Sequence, residues 1–200
     1  MSTALEQMHE IEPHIRVGRA RAGMLMLIIS DALSVMAILA AGGYLRALNT
    51  ENLFKVSGDH PPPFLPGLLV TVILLVSGLL YYWWEQSVRR KGSAGQQAIF
   101  ILSGLLMIVA FAGEIWIGRM MILVYDSPPF DAYLSLMFLL TWFSAFHFAL
   151  TAIIGLLLLG RVMRSRVNGH DYIVEVVGYW WYYTAIAGLL MWLFILFLSA

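Results

Sequence analysis

No cysteine occurs in the 200 residues. Disulfides, thiolate metal sites and thiol nucleophiles are therefore excluded. Charge is scarce too: 12% of residues are Asp, Glu, Lys or Arg, against about 25% in a soluble domain. The formal net charge is zero, so no basic field exists to attract nucleic acid, and no nucleic-acid partner is expected. A short basic segment followed by a cleavable apolar core is also missing. The first nineteen residues are polar and carry Glu6, Glu10, Glu12, Arg16 and Arg19, so the first span is expected to direct insertion itself. No period-2 alternation suggests barrel strands. No phosphate loop, nucleophile triad or paired carboxylates stand at usable spacing, and no internal repeat is visible.

Apolar residues fill the space that charge leaves. They make up 60% of the chain, and the mean hydropathy is +0.80. A soluble protein of this length could not bury so much apolar surface, which makes the chain an integral membrane protein. Five stretches are long enough to span, near 22–43, 64–84, 97–118, 131–160 and 173–198. About 20 residues rising ~1.5 Å each cross ~30 Å of hydrocarbon. Without water to satisfy loose backbone groups these must be helices. The expected fold is all-α, a bundle of five transmembrane helices over 21–200, after a polar tail over 1–20. The fourth stretch exceeds what is needed and is expected to tilt or protrude.

Basic residues predict orientation. Arg16, Arg19, Arg21, Arg89, Arg90, Lys91, Arg161, Arg164 and Arg166 fall on one side, and only Arg46, Lys55 and Arg119 on the other. The N-terminus is therefore expected in the cytoplasm and the C-terminus outside. Between the first two spans, Gly58-Asp59-His60 precedes Pro61-Pro62-Pro63, a run expected to be extended. Ser127-Pro128-Pro129 opens the fourth span.

The polar residues inside the spans are the candidate sites. Asp31 lies near the middle of the first span, where an ionised carboxylate costs ~2.5–3.5 kcal/mol, so it must face protein or water or be protonated. It is either a proton or lipid-headgroup contact or a hydrogen-bonded structural group beside Ser30. Glu114 sits towards the far end of the third span, flanked by Gly113 and Gly118, which would allow close approach of another backbone. It is either a buried acid on a pathway or an acid snorkelling outwards. Ser144, His147 and Thr151 share one helix face, with Thr141 nearby. A membrane haem needs two axial ligands, and neither His60 nor His170 can meet His147 across a haem plane. His147 is therefore read as a neutral histidine bonded to a neighbouring helix, and the hydroxyls as a packing seam. Asp171 and Glu175 begin the fifth span, where negative charge suits the helix dipole. Tyr179 to Tyr183, including Trp181, together with Trp83 and Trp84, suggest an interfacial aromatic belt. Thr184 and Gly188 form a small-residue packing pair.

Taken in order, these segments resemble subunit III of the haem–copper terminal oxidases, in the five-helix bacterial form, over roughly residues 20–199. The fourth span has Ser135, Met137-Phe138, Leu140-Thr141 and His147 at family positions; Trp142 replaces a glycine, Ser144 the first of two histidines, and Phe148 a valine. In the fifth, Glu175 and the aromatics through Trp181 match, while Tyr182 replaces a histidine and Ala185 an aspartate. Ser30-Asp31 resembles the first-span signature. Leu65-Pro66, Thr71, Leu74-Leu75 and Ser77 resemble the second, with Val70 at an asparagine, and Glu114 fits the third, with Ile117 replacing a further acid.

The resemblance implies a non-catalytic accessory subunit in a bacterial inner membrane. Its partners would be catalytic subunits I and II, which hold the haem and copper, while this chain binds no cofactor and no metal of its own. Structural phospholipid, support of proton uptake and protection of the catalytic subunit are implied with it. Asp31, Glu114, Thr141, Ser144, His147, Glu175 and Trp181 would then make interhelical or lipid contacts. Three alternatives stay open: an accessory subunit of a nitric oxide reductase, a small transporter or proton channel with Asp31 and Glu114 along the path, and a scaffold in some other respiratory or photosynthetic assembly.

Overall fold

A computed structural model describes residues 13–49, 54, 62–90, 97–125, 131–164 and 171–200. Its elements are five helices: α1 (Pro13–Ala47), α2 (Phe64–Arg89), α3 (Gln97–Tyr125), α4 (Ala132–Met163) and α5 (Asp171–Ser199). All five are long and apolar enough to cross a membrane, so this is a multi-pass helical membrane protein. Each helix overruns its expected apolar stretch. The largest overrun is at α1, which begins at Pro13, inside the segment expected to be a polar tail. Arg16, Arg19 and Arg21 carry the helix on because Arg is a good helix former wherever its head can reach water.

Helix ends follow local chemistry. Pro63 is extended (φ −62°, ψ 121°) and directly precedes α2, as the proline run predicts. Asp131 caps α4 by accepting a 2.7 Å bond from the Leu134 amide. Ser127, Pro128 and Pro129, expected to open this span, lie outside the described residues, as do Lys55, Gly58 to Pro61, Lys91, Arg166 and His170. Phe54 is buried and ties the α1–α2 connection to α4: its carbonyl accepts the Tyr133 amide at 3.1 Å, and its ring meets Tyr133 edge-on.

Helices α2 to α5 close a ring, in which each packs on its successor and α5 returns to α2. Helix α1 stands outside this ring and packs chiefly on α5. Ring neighbours run antiparallel, as Ser77 against Ser103 and Thr151 against Thr184 make plain, whereas α1 runs parallel to α5. One core cluster gathers Tyr81, Trp84, Phe100 and Trp181 at the end where α2 stops and α5 starts; the other gathers Tyr133, Met137, Leu140 and Met191 at the opposite end.

The expected aromatic belt is only partly a belt. Trp83 is 58% exposed, but Trp84, Trp180 and Trp181 are buried. Trp84 stacks on Phe100 and Trp181 on Tyr81, and the indole N–H of Trp181 donates to Ser77 Oγ at 3.0 Å. Ser77 and Ser103 each donate to the other's backbone carbonyl, at 2.9 and 2.8 Å. A buried indole needs a hydrogen-bond acceptor, and the serine pair supplies it within the ring, so these tryptophans turn inwards.

Glycines let the helices close up. A Cβ on Gly188 would stand 2.5 Å from Leu74, so the packing expected of Thr184 and Gly188 is present, with Thr184 fully buried. A Cβ on Gly42 would stand 2.5 Å from Leu136 and 2.9 Å from Phe194, which marks a close approach of α1 to the ring. Gly113 and Gly118 seat side chains, Val70 and Trp142, where close backbone approach was expected.

Candidate functional site

Asp31, from the outer helix, and His147, from the ring, meet. His147 is 1% exposed, and its Nε2 lies 2.7 Å from Asp31 Oδ2. Its Nδ1 lies 2.8 Å from the Phe143 carbonyl oxygen, one turn back on α4. A carbonyl only accepts, so Nδ1 carries a hydrogen. The short Nε2 contact then needs a second hydrogen, carried either by Asp31 or by an imidazolium. In both cases the couple is neutral as a unit and holds one proton more than a free carboxylate beside a neutral imidazole. That neutrality lowers the cost of placing it inside a bilayer. The Tyr183 hydroxyl donates to the same Oδ2 at 2.5 Å. Asp31 is thus a hydrogen-bonded group, as one reading of the sequence has it, but its partners are α4 and α5 rather than Ser30.

The histidine is held from behind. Its ring stacks on Trp180, with centroids 6.0 Å apart and planes 11° from parallel. Trp180 donates its indole N–H to Thr151 Oγ1 at 2.9 Å, and Thr151 donates to the His147 carbonyl at 2.8 Å. Since Thr151 has spent its only hydrogen, Thr184 must donate across the 2.8 Å contact between the two hydroxyls. The shared face of Ser144, His147 and Thr151 therefore divides by depth: His147 reaches α1, and Thr151 bridges to α5. Ser144 donates to the Leu140 carbonyl at 2.9 Å, beside the Met191 sulfur at 3.4 Å.

A second polar group lies at the Arg21 end of the bundle. Arg21 Nη2 meets Glu175 Oε2 at 2.6 Å. Arg89 holds Glu85 Oε1 through Nε and Nη2, at 3.0 and 2.6 Å, and approaches Glu175 at 3.5 Å. Tyr182 donates to Glu85 Oε2 at 2.5 Å, and Tyr179 donates to Glu175. Glu175 thus clasps α1 and α2 to the start of α5. Helix α1 is bonded to the ring at two levels: Arg21 to Glu175, and ten residues further on, Asp31 to His147 and Tyr183.

Glu114 stands apart from both groups. It is 8% exposed and lines a cavity of about 30 Å³ with Thr71, Thr141, Ser144 and Trp192. Thr141 turns its hydroxyl to the Met121 sulfur at 3.7 Å, and Thr71 donates to the Gly67 carbonyl at 2.9 Å.

Of the seven candidates, the structure joins Asp31 to His147 and groups Glu114, Thr141 and Ser144 around one cavity. Glu175 and Trp181 belong to separate contacts. Among the participants that the sequence analysis did not single out are Tyr183, Trp180 and Glu85. Glu85 stands four residues before Arg89, a spacing that signals a helical ion pair. Trp180, Tyr183 and Thr184 fall on one face of α5, which a helical projection makes visible. Among the described residues no three His, Asp or Glu side chains gather where a metal ion could sit. No protein-family model matches this chain, and no curated protein does.

Proposed function

We propose that this chain is a non-redox accessory subunit of a haem–copper terminal oxidase assembly in a bacterial inner membrane, with its N-terminus in the cytoplasm. The observation that carries this reading is the full engagement of His147. Both ring nitrogens are committed, one to a carbonyl and one to Asp31, which leaves no lone pair for iron or copper. The polar groups of the spans are spent mainly on holding helices together, which is what an interaction subunit requires. The ordered resemblance of all five spans to subunit III of such oxidases supports the same reading. The partners would be catalytic subunits I and II, which carry the haem and copper.

Helix α1 supplies the docking surface in this account. Met26, Leu33 and Met36 are 71%, 66% and 59% exposed on it, and the ring covers little of its apolar surface. An apolar groove of about 70 Å³ between α3 and α4, bounded by Phe100, Gly104, Ala152 and Leu156, suits a phospholipid acyl chain.

The test is mild detergent extraction of the tagged chain from its host membrane, with mass spectrometry and an absorption spectrum of what is retained. A multi-span haem protein in stoichiometric amount is expected. Recovery of the chain alone, or of a partner without haem and copper, overturns the reading. Transport by the isolated chain in liposomes would replace it with a carrier. With His147→Ala, weaker assembly is expected at unchanged haem content per catalytic subunit.

A further inference from the structure

The cavity around Glu114 has an unusual balance of hydrogen-bond donors and acceptors. It begins among Pro62, Pro63 and Leu196, at the end of the bundle that carries Arg46, and runs inwards to Ser144 and Gly188. Its volume of about 30 Å³ admits two or three waters, since roughly 10–15 Å³ holds one. Its hydroxyls are acceptors rather than donors towards this space. Thr71 has given its hydrogen to Gly67, Ser144 to Leu140, and Thr141 to the Met121 sulfur. The indole N–H of Trp192 is the one side-chain donor on the described lining.

No hydrogen bond to the Glu114 carboxyl comes from any described residue. No charged side chain of α2, α4 or α5 lines the space, since Val70, Thr71, Thr141, Ser144, Phe148, Gly188 and Trp192 face it from those helices. On its own helix, Arg119 is exposed. An ionised carboxylate demands donors or a cation, and this lining offers neither in sufficient number. A carboxylic acid carries its own donor and finds three acceptors waiting.

We propose that this cavity is a proton-binding site in which Glu114 is held as the neutral acid and exchanges its proton with water at the Arg46 end of the bundle. In the exchange the O–H bond breaks, its electron pair stays on the carboxylate, and the proton leaves on a cavity water as hydronium. Nothing is oxidised or reduced. The site is independent of the accessory-subunit reading, because all its groups belong to this chain. It also lies away from the Asp31–His147 couple, which joins two helices.

The test is infrared spectroscopy of the purified full chain in lipid nanodiscs at neutral pH. A protonated-carboxyl C=O band is expected in the native chain, lost in Glu114→Gln and retained in Asp31→Asn. It should shift as soon as the sample is exchanged into deuterated buffer. Glu114→Asp should keep the band at an altered frequency, which preserves the test if Glu114→Gln fails to fold. Three results overturn the proposal: no spectral difference between native chain and Glu114→Gln, a band that does not move in deuterated buffer, or a band abolished at fixed pH when sodium replaces choline. The last would make the cavity a metal-cation site.

Discussion

Helix α1 and the four-helix ring solve the same problem differently. The ring is held by interlocked aromatic side chains, with glycines that admit Leu74, Val70 and Trp181 and with the reciprocal Ser77–Ser103 bonds. Helix α1 buries almost nothing: 6% of its most apolar window is covered, against 28–39% for the other four helices. It is fastened by point contacts, Arg21 to Glu175, Asp31 to His147 and Tyr183, and Gly42 beneath Leu136 and Phe194. In a bilayer the tails are as apolar as leucine, so a helix without close packing must be retained by polar contacts. The contrast teaches that the ring is a body of fixed shape, and α1 a clip upon it.

This contrast can be broken first from the ring side. Trp181→Ala removes the indole between Tyr81, Phe100 and Ser77 and should cost about 3–5 kcal/mol of whole-bundle stability. Reversible unfolding in mixed micelles measures it; a loss under about 1 kcal/mol would mean that the ring is loosely packed there. Gly42→Leu should come next. It drives a side chain into Leu136 and Phe194 and should weaken α1 docking by about 1–3 kcal/mol while the ring melts as before. The absence of native cysteine makes an engineered cysteine pair across the α1–α5 seam a clean readout, because crosslinking yield then reports docking alone.

Smaller effects sharpen the contrast. In a double-mutant cycle, Asp31→Ala and His147→Ala should couple by about 1–2 kcal/mol, near the upper range for hydrogen bonds between membrane helices. Additive losses would show that the 2.7 Å contact contributes nothing to stability. Arg21→Ala should be the mildest change, about 0.2–1 kcal/mol, because the arginine side chain is 47% exposed and screened. Its effect on crosslinking should vanish in high salt, whereas that of Asp31→Ala should persist.

The spans were legible because hydrocarbon imposes its thickness on any apolar run, whatever the packing. Their ends were not, since Arg16 to Arg21 and Arg89 continue a helix beyond the apolar limit. Asp31 and His147 could each be marked as costly in lipid, but their meeting could not. They are 116 residues apart, and nothing in either segment names the other. That Trp84 and Trp181 turn into the bundle was not legible, for a related reason. Composition places Trp at interfaces, but a buried serine on a facing helix can satisfy the indole instead, and Ser77 is 104 residues from Trp181. Glu114 was visible as an anomaly; the empty space beside it arises from four helices at once and belongs to no single segment.

The order in which the clip forms has a consequence for biogenesis. Asp31 leaves the ribosome 116 residues before His147 and 152 before Tyr183. A nascent first helix therefore waits in the membrane with a lone acid until α4 has been threaded in. Chains cut short before that point would display an unanswered carboxyl, a ready mark for membrane quality-control proteases.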